Sequence, residues 1–153
     1  MSRAFVRESD QDTESLPERV ISPHPNLVTS AGLKQIEEQV RDLEAARRAA
    51  RQENDTAALA RVERDLRYWT QRRASARLVE TAPTPDTVRF GVKVTLESDD
   101  GSRREFRIVG EDEADPSQGR ISWVSPLAVA LIGAKLGDVV KFQGQDAEIV
   151  RLD

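Results

Sequence analysis

Residues 52–56 read Gln52-Glu53-Asn54-Asp55-Thr56 (QENDT), and they interrupt a stretch that otherwise keeps a helical pattern. Before them, apolar residues recur at Leu33, Ile36, Val40 and Leu43, and the same spacing runs on to Arg47 and Ala50. After them the series is Leu59, Val62, Leu66, Trp69, Arg73 and Ala76. Steps of three and four place each series along one stripe of a helix, the pattern of a coiled-coil seam. The two series also fold onto each other. Leu33 falls opposite Ala76, Ile36 opposite Arg73, Val40 opposite Trp69, Leu43 opposite Leu66, Arg47 opposite Val62 and Ala50 opposite Leu59. The paired numbers add to one constant, which centres the turn between Asn54 and Asp55. Short polar side chains favour turns by bonding nearby backbone, and Asp55 is placed to cap the second helix. The spacing therefore predicts an antiparallel coiled-coil hairpin within residues 28–80, its tip at 52–56 and its arm about 26 Å long at ~1.5 Å per residue. Thr29 or Ser30 is the candidate cap of the first arm.

Working outward, residues 1–27 mix charge with Ser and Pro, lack periodicity and are expected to be a flexible tail. His24, between two prolines and without a second ligand beside it, reads as a loop residue. Residues 81–87 carry Pro83 and Pro85 and form a hinge. From there the period becomes two: Val88, Phe90, Val92, Val94 and Leu96 predict a strand with one buried face. Asp99-Asp100-Gly101 signals a hairpin turn leading to a strand with Phe106 and Ile108 inward. A polar loop over 111–119 leads to a short strand at 121–124. Ser125 and Pro126 then start a short helix, with Leu127, Ala130 and Leu131 along one side. Gly137-Asp138 turns the chain into a closing hairpin. The expected class is α+β: a helical hairpin followed, over 88–153, by an antiparallel sheet carrying one short helix.

Composition narrows the function. There is no cysteine, so disulfide and thiolate chemistry are excluded and a reducing cytoplasm is the expected location. No apolar run is long enough to span a membrane, and the first residues lack a signal-peptide core. Net charge is −4. The middle segment is slightly basic through its arginines and both flanks are acidic, so a protein partner is expected ahead of a nucleic acid. Arg41, Arg47, Arg48, Arg51, Arg61, Arg64, Arg67, Arg72 and Arg73 read as flanking positions of the arms, pairing with acids such as Glu44 and Asp65. Trp69 reads as seam core, and Trp123 is open between core and interface anchor.

The C-terminal half carries several blocks in a specific order. They are Phe90-Gly91, Ile108-Val109-Gly110, Glu113-Ala114-Asp115, Ser125-Pro126, Ala130 to Gly133 and Gly137-Asp138. This succession resembles the C-terminal domain of the bacterial Gre transcription elongation factors, and with the preceding hairpin the resemblance covers roughly residues 28–153. It implies an FKBP-like domain that docks on RNA polymerase at the rim of the secondary channel, with Ser125, Pro126 and Trp123 as the polymerase-binding residues. It also implies that the hairpin tip enters the channel, where family acids help hold a Mg²⁺ ion shared with the polymerase active site. Glu53 and Asp55 are the metal candidates here. Family tips resemble Asp-Leu-Ser-Glu-Asn-Ala-Glu-Tyr; Glu53-Asn54 aligns with the Glu-Asn pair, whereas Ala50 stands at the first acid's position. The arms are shorter than the family's by roughly ten residues, on the order of 15 Å. The plainer reading of Glu53 and Asp55 is a solvated turn with a helix cap.

The resemblance thus implies a monomeric regulator of transcription elongation with no cofactor of its own, meeting nucleic acid only through the polymerase complex. The alternative within that class is a channel-occupying factor that stimulates no cleavage and competes with longer relatives. A prolyl isomerase would need an aromatic-lined apolar pocket, and Phe90, Phe106, Trp123 and Phe142 are expected in the core, so no enzyme is expected. A self-associating coiled coil is the third hypothesis, and the constant register argues for an intramolecular hairpin instead.

Overall fold

In the computed structural model, residues 16–153 are described, and they divide into two units. One holds the helices from Ile36 to Ser75 together with the N-terminal segment through His24. The other holds Pro25–Gln35 and Ala76–Asp153.

Helix α1 (Ser30–Gln52) and helix α2 (Thr56–Ser75) are joined by the residues expected to break them. Asn54 sits at φ 53°, the left-handed region that asparagine tolerates, and the Asp55 carbonyl accepts the first helical bond of α2 from Leu59 N at 2.9 Å. Ile36, Val40, Ala50 and Leu66 are buried, and Leu33, Leu43, Leu59, Val62 and Trp69 half-buried. Arg51 on α1 pairs with Glu63 on α2 at 3.3 Å. At the end of α2 the stripe departs from the expected heptad: Arg73 is exposed and Arg72 is the buried residue, at 2% exposure. Burying a guanidinium is costly unless it has a partner, and Arg72 is not without one. Apolar spacing carries no information about such a partner.

The expected tail needs a new boundary. Its residues 1–15 lie outside the described ones, but Glu18 and Arg19 contact α2. Arg67 Nε donates to both Glu18 carboxylate oxygens, at 3.0 and 3.1 Å. Arg19 lies over the Tyr68 ring, 3.9 Å from its centroid, and reaches Asp65 at 3.5 Å. A forked ion pair and a cation on an aromatic face fasten two adjacent residues to one helical turn. The hydrogen bond from Arg67 is the main reason the Glu18 carboxyl titrates below its ordinary value of 4.5. A lowered value means the attachment is complete above pH 4.5 and is lost as pH falls through the lowered value. Acidification toward pH ~2 should therefore change Trp69 emission in a step that Glu18→Gln lacks, because that variant has no carboxylate to pair with Arg67. The same step in both proteins would assign the change to other carboxyls.

The second unit begins with β1 (Leu27–Val28), which pairs in parallel with β2 (Arg77–Leu78). Asn26 and Val28 are buried there. Thr29 is the cap of α1: its hydroxyl accepts from Gly32 N at 3.0 Å, and its carbonyl accepts from Leu33 N at 2.9 Å. The same hydroxyl donates to the buried Glu113 carboxylate, 2.6 and 2.7 Å from its oxygens.

A five-stranded sheet follows, in the order β5-β4-β3-β7-β6. Its strands are β3 (Lys93–Ser98), β4 (Arg103–Val109), β5 (Arg120–Ser122), β6 (Val139–Phe142) and β7 (Gln145–Leu152). The sheet is mixed, where an antiparallel one was expected, because β4 and β5 run parallel. The expected polar loop between them forms two 3₁₀ turns, Glu111–Glu113 and Pro116–Gln118, which return the chain to the start of its neighbour. The expected strand from Val88 is likewise interrupted. Gly91 at φ 87° turns the chain before Lys93, although Val88, Val92, Val94 and Leu96 all remain buried. Helix α3 (Pro126–Leu131) covers one face of the sheet with Ala128 and Leu131, both 0% exposed. Around them gather Val94, Leu96, Phe106, Ile108, Ile121 and Ile149. Ala130, expected on that side, is exposed.

Candidate functional site

At the tip, Glu53, Asn54 and Asp55 are all exposed. They are held by the helix end, where Glu53 N donates to Ala49 O at 3.0 Å and Asp55 N to Ala50 O at 3.0 Å. Asp55 Oδ1 accepts from Ala58 N at 3.0 Å, so this carboxylate caps α2. Mg²⁺ demands about six oxygen ligands in near-octahedral array. Among the described residues no group of three or more His, Cys, Asp or Glu side chains could hold a metal. Two exposed acids, one committed to a cap, do not fit a resident metal ion.

The second candidate lies at α3. Ser125 caps this helix by accepting from Ala128 N at 3.3 Å, and Pro126 occupies the first turn, where its missing N–H costs nothing. Pro126 is exposed and Ser125 half-buried. Trp123 is half-buried against the core and donates its backbone N–H to Val109 O at 2.9 Å, which fixes the approach to the corner.

Sequence reasoning missed what lies beside that corner. Val129, Ile132, Leu136 and Val139 are 63%, 41%, 58% and 61% exposed. Val129 and Ile132 lie together at α3 beside the corner, and neighbouring large aliphatic side chains left in water are the feature that marks interaction surfaces. The available signal was arithmetic: Ala128 and Leu131, three apart, fill the inner stripe, so Val129 and Ile132 turn outward. No helix among the described residues is long and apolar enough to cross a membrane.

The C-terminal unit is thus a mixed-sheet α+β domain with a capped helix corner. Residues 82–151 match the family described as "Transcription elongation factor, GreA/GreB, C-term". It is 44% identical over 81 residues to transcription elongation factor GreB of Neisseria meningitidis serogroup B, covering 52% of this chain and 50% of that one. It is 54% identical over 57 residues to transcription elongation factor GreA of Nitrobacter winogradskyi, covering 37% and 36%. The chain spans about half the length, or less, of these curated relatives. A solved structure, GreA factor homolog 1 (Gfh1) of Thermus thermophilus, is 19% identical, with 85% of this chain and 99% of that one covered at a TM-score of 0.42.

Proposed function

We propose that this protein binds bacterial RNA polymerase at the secondary channel through its C-terminal domain and regulates transcription elongation. In this reading the domain is FKBP-like, and the corner at Ser125 and Pro126 lies in the contact. The two helices form a short antiparallel coiled coil that presents Glu53–Asp55 toward the polymerase interior. The protein acts in the cytoplasm as a monomer and does no chemistry of its own. One observation carries the proposal: on a domain that matches the GreA/GreB family, the helix starting at Pro126 leaves the large aliphatic residues Val129 and Ile132 exposed on its outer side.

A specific feature favours the mode in which the channel is occupied without stimulating RNA cleavage. Asp55 is engaged as a cap, and Ala50, where the family's first tip acid would stand, is buried at 6% exposure. A carboxylate displaced by even an ångström or so loses most of its effect on a reaction.

Purified polymerase and the variant Val129→Asp provide the test. Because Val129 already faces water, the variant should unfold at the wild-type midpoint, yet bind polymerase at least tenfold more weakly. In the same complexes, backtracked RNA should be cleaved no faster with wild type than with the Glu53→Ala, Asp55→Ala variant. Wild-type affinity in Val129→Asp would remove the α3 face from the contact. Cleavage that depends on the two acids would establish the other mode.

A further inference from the structure

Strand register brings together three cations that lie far apart in the chain. Lys93 on β3 stands directly opposite Arg107 on β4, and Arg107 directly opposite Arg120 on β5. Phe106 and Ile108, on either side of Arg107, point into the core, so this row lies on the sheet's other face. Like charges directly opposite each other destabilise a sheet, and here they do so across two successive strand pairs. All three line one cleft of about 430 Å³, together with Arg104, Ser117 and Gln118.

Neutralisation within the cleft is incomplete. Lys93 Nζ is 3.8 Å from a Glu105 oxygen, and Arg120 Nη2 is 3.8 Å from Asp115 Oδ2; both separations exceed hydrogen-bond length. Asp115 is also engaged elsewhere, its Oδ1 accepting from the Ser117 hydroxyl at 2.6 Å. Arg107 gives one N–H to the Gly91 carbonyl at 2.7 Å, and Arg120 Nε is buried with no acceptor. Arg104 lies over Phe106 and Phe142, 5.4 and 5.3 Å from the ring centroids, and among the described residues neither it nor Arg107 has a carboxylate partner. Three cations of the row therefore face two carboxylates, while Arg104 turns to the Phe106 side of the sheet. The cleft wall is built closely, too. A Cβ on Gly119, at φ 70°, would fall 2.8 Å from the Glu105 carbonyl, so the turn presses directly on β4.

We propose that this cleft binds linked phosphate groups. Cations on adjacent strands stand about 5 Å apart, so the row offers a track of roughly 10 Å. Linked phosphates carry a charge at every unit of the chain itself. An acidic peptide carries its charges on flexible side chains that alternate between faces and must be ordered on binding. Guanidinium forks, one with an unused buried N–H, match phosphate oxygens. The phosphates come from a nucleic-acid backbone or from a free polyphosphate, and the cleft accommodates the chemistry common to both.

The experiment uses the full chain with two probes at about 50 mM salt: a fluorescent nonauridylate read by anisotropy, and inorganic tripolyphosphate read by calorimetry. Lys93→Gln, Arg120→Gln should weaken binding about tenfold or more. It should also flatten the dependence of log affinity on log salt for the RNA probe by about 1.4, the share of two phosphate contacts on a single strand. Arg103→Gln, Lys141→Gln is the matched control, because these cations pair with Glu97 and Asp146 outside the cleft and their loss changes net charge equally. It should stay within about twofold of wild type. Cleft-dependent binding of the oligonucleotide alone assigns the phosphates to nucleic acid, and of tripolyphosphate alone to a free ligand; either supports the inference. Absence of binding by both probes, equal losses in the two double variants, or hexaglutamate binding as tightly as the phosphates would overturn it. Polymerase is absent throughout, so the result is independent of the docking proposal.

Discussion

Gly110→Ala should destabilise the C-terminal unit by about 2–4 kcal/mol, combining overpacking with the loss of backbone hydrogen bonds. Gly110 has an ordinary φ of −68°, so conformational freedom is not its purpose. Its role is to leave room. A Cβ there would collide with the Leu27 carbonyl, and Val28 Cα lies only 3.7 Å away. Backbone meets backbone at this point, and no rotamer change relieves the clash. The segment 26–28 must move instead, although Asn26 and Val28 are 5% and 3% exposed. That movement breaks the bonds from Arg77 N to Asn26 O (2.8 Å) and from Val79 N to Val28 O (3.0 Å). It also draws Thr29 away from Glu113, whose own backbone N–H bonds to Gly110 O at 3.2 Å. Two readouts follow. The urea midpoint falls, and the Arg77 and Val79 amides exchange with solvent faster than those of β3. Unchanged protection at both amides would show that the segment tolerates the methyl group.

The same contact illustrates what a linear reading of the chain captures. The QENDT turn was legible because turn chemistry and helical period are both local, and they agreed on Asn54 and Asp55. Most of the strand faces were legible for the same reason: Val94, Leu96, Phe106 and Ile108 alternate and are buried. Gly110 looked like one more block in a family pattern, since the strand it meets starts more than eighty positions earlier. Arg72 was passed over for Arg73 because burial of a charge depends on partners that spacing does not encode. The parallel pairing of β4 and β5 was hidden in a polar stretch that reads as loop but folds into two 3₁₀ turns. Lys93, Arg107 and Arg120 lie far apart in the chain, and only the register sets them in one row.

Leu131→Ala should cost about 3 kcal/mol or more, within the range for a fully buried leucine. Leu131 is 0% exposed and meets the sheet beside Ala128, and these two are the only fully buried side chains that α3 contributes. Six residues are too few to hold a helix by propensity, so α3 depends on packing and on the Ser125 cap. Its far end is tied as well: Gly133 N donates to Val88 O at 2.9 Å, and Val88 N to Ala134 O at 2.8 Å. Truncating Leu131 leaves those ties but empties the centre, so the helix can rock about its two ends. The outward residues Val129 and Ile132 then lose their fixed spacing without being altered. If the proposed function holds, this separates two ways of losing polymerase affinity. Val129→Asp should weaken binding at constant stability, whereas Leu131→Ala should weaken it together with a lower urea midpoint, and stabilising osmolyte should restore part of the second loss only. Full affinity in a measurably destabilised Leu131→Ala protein would mean that the partner does not read the α3 face.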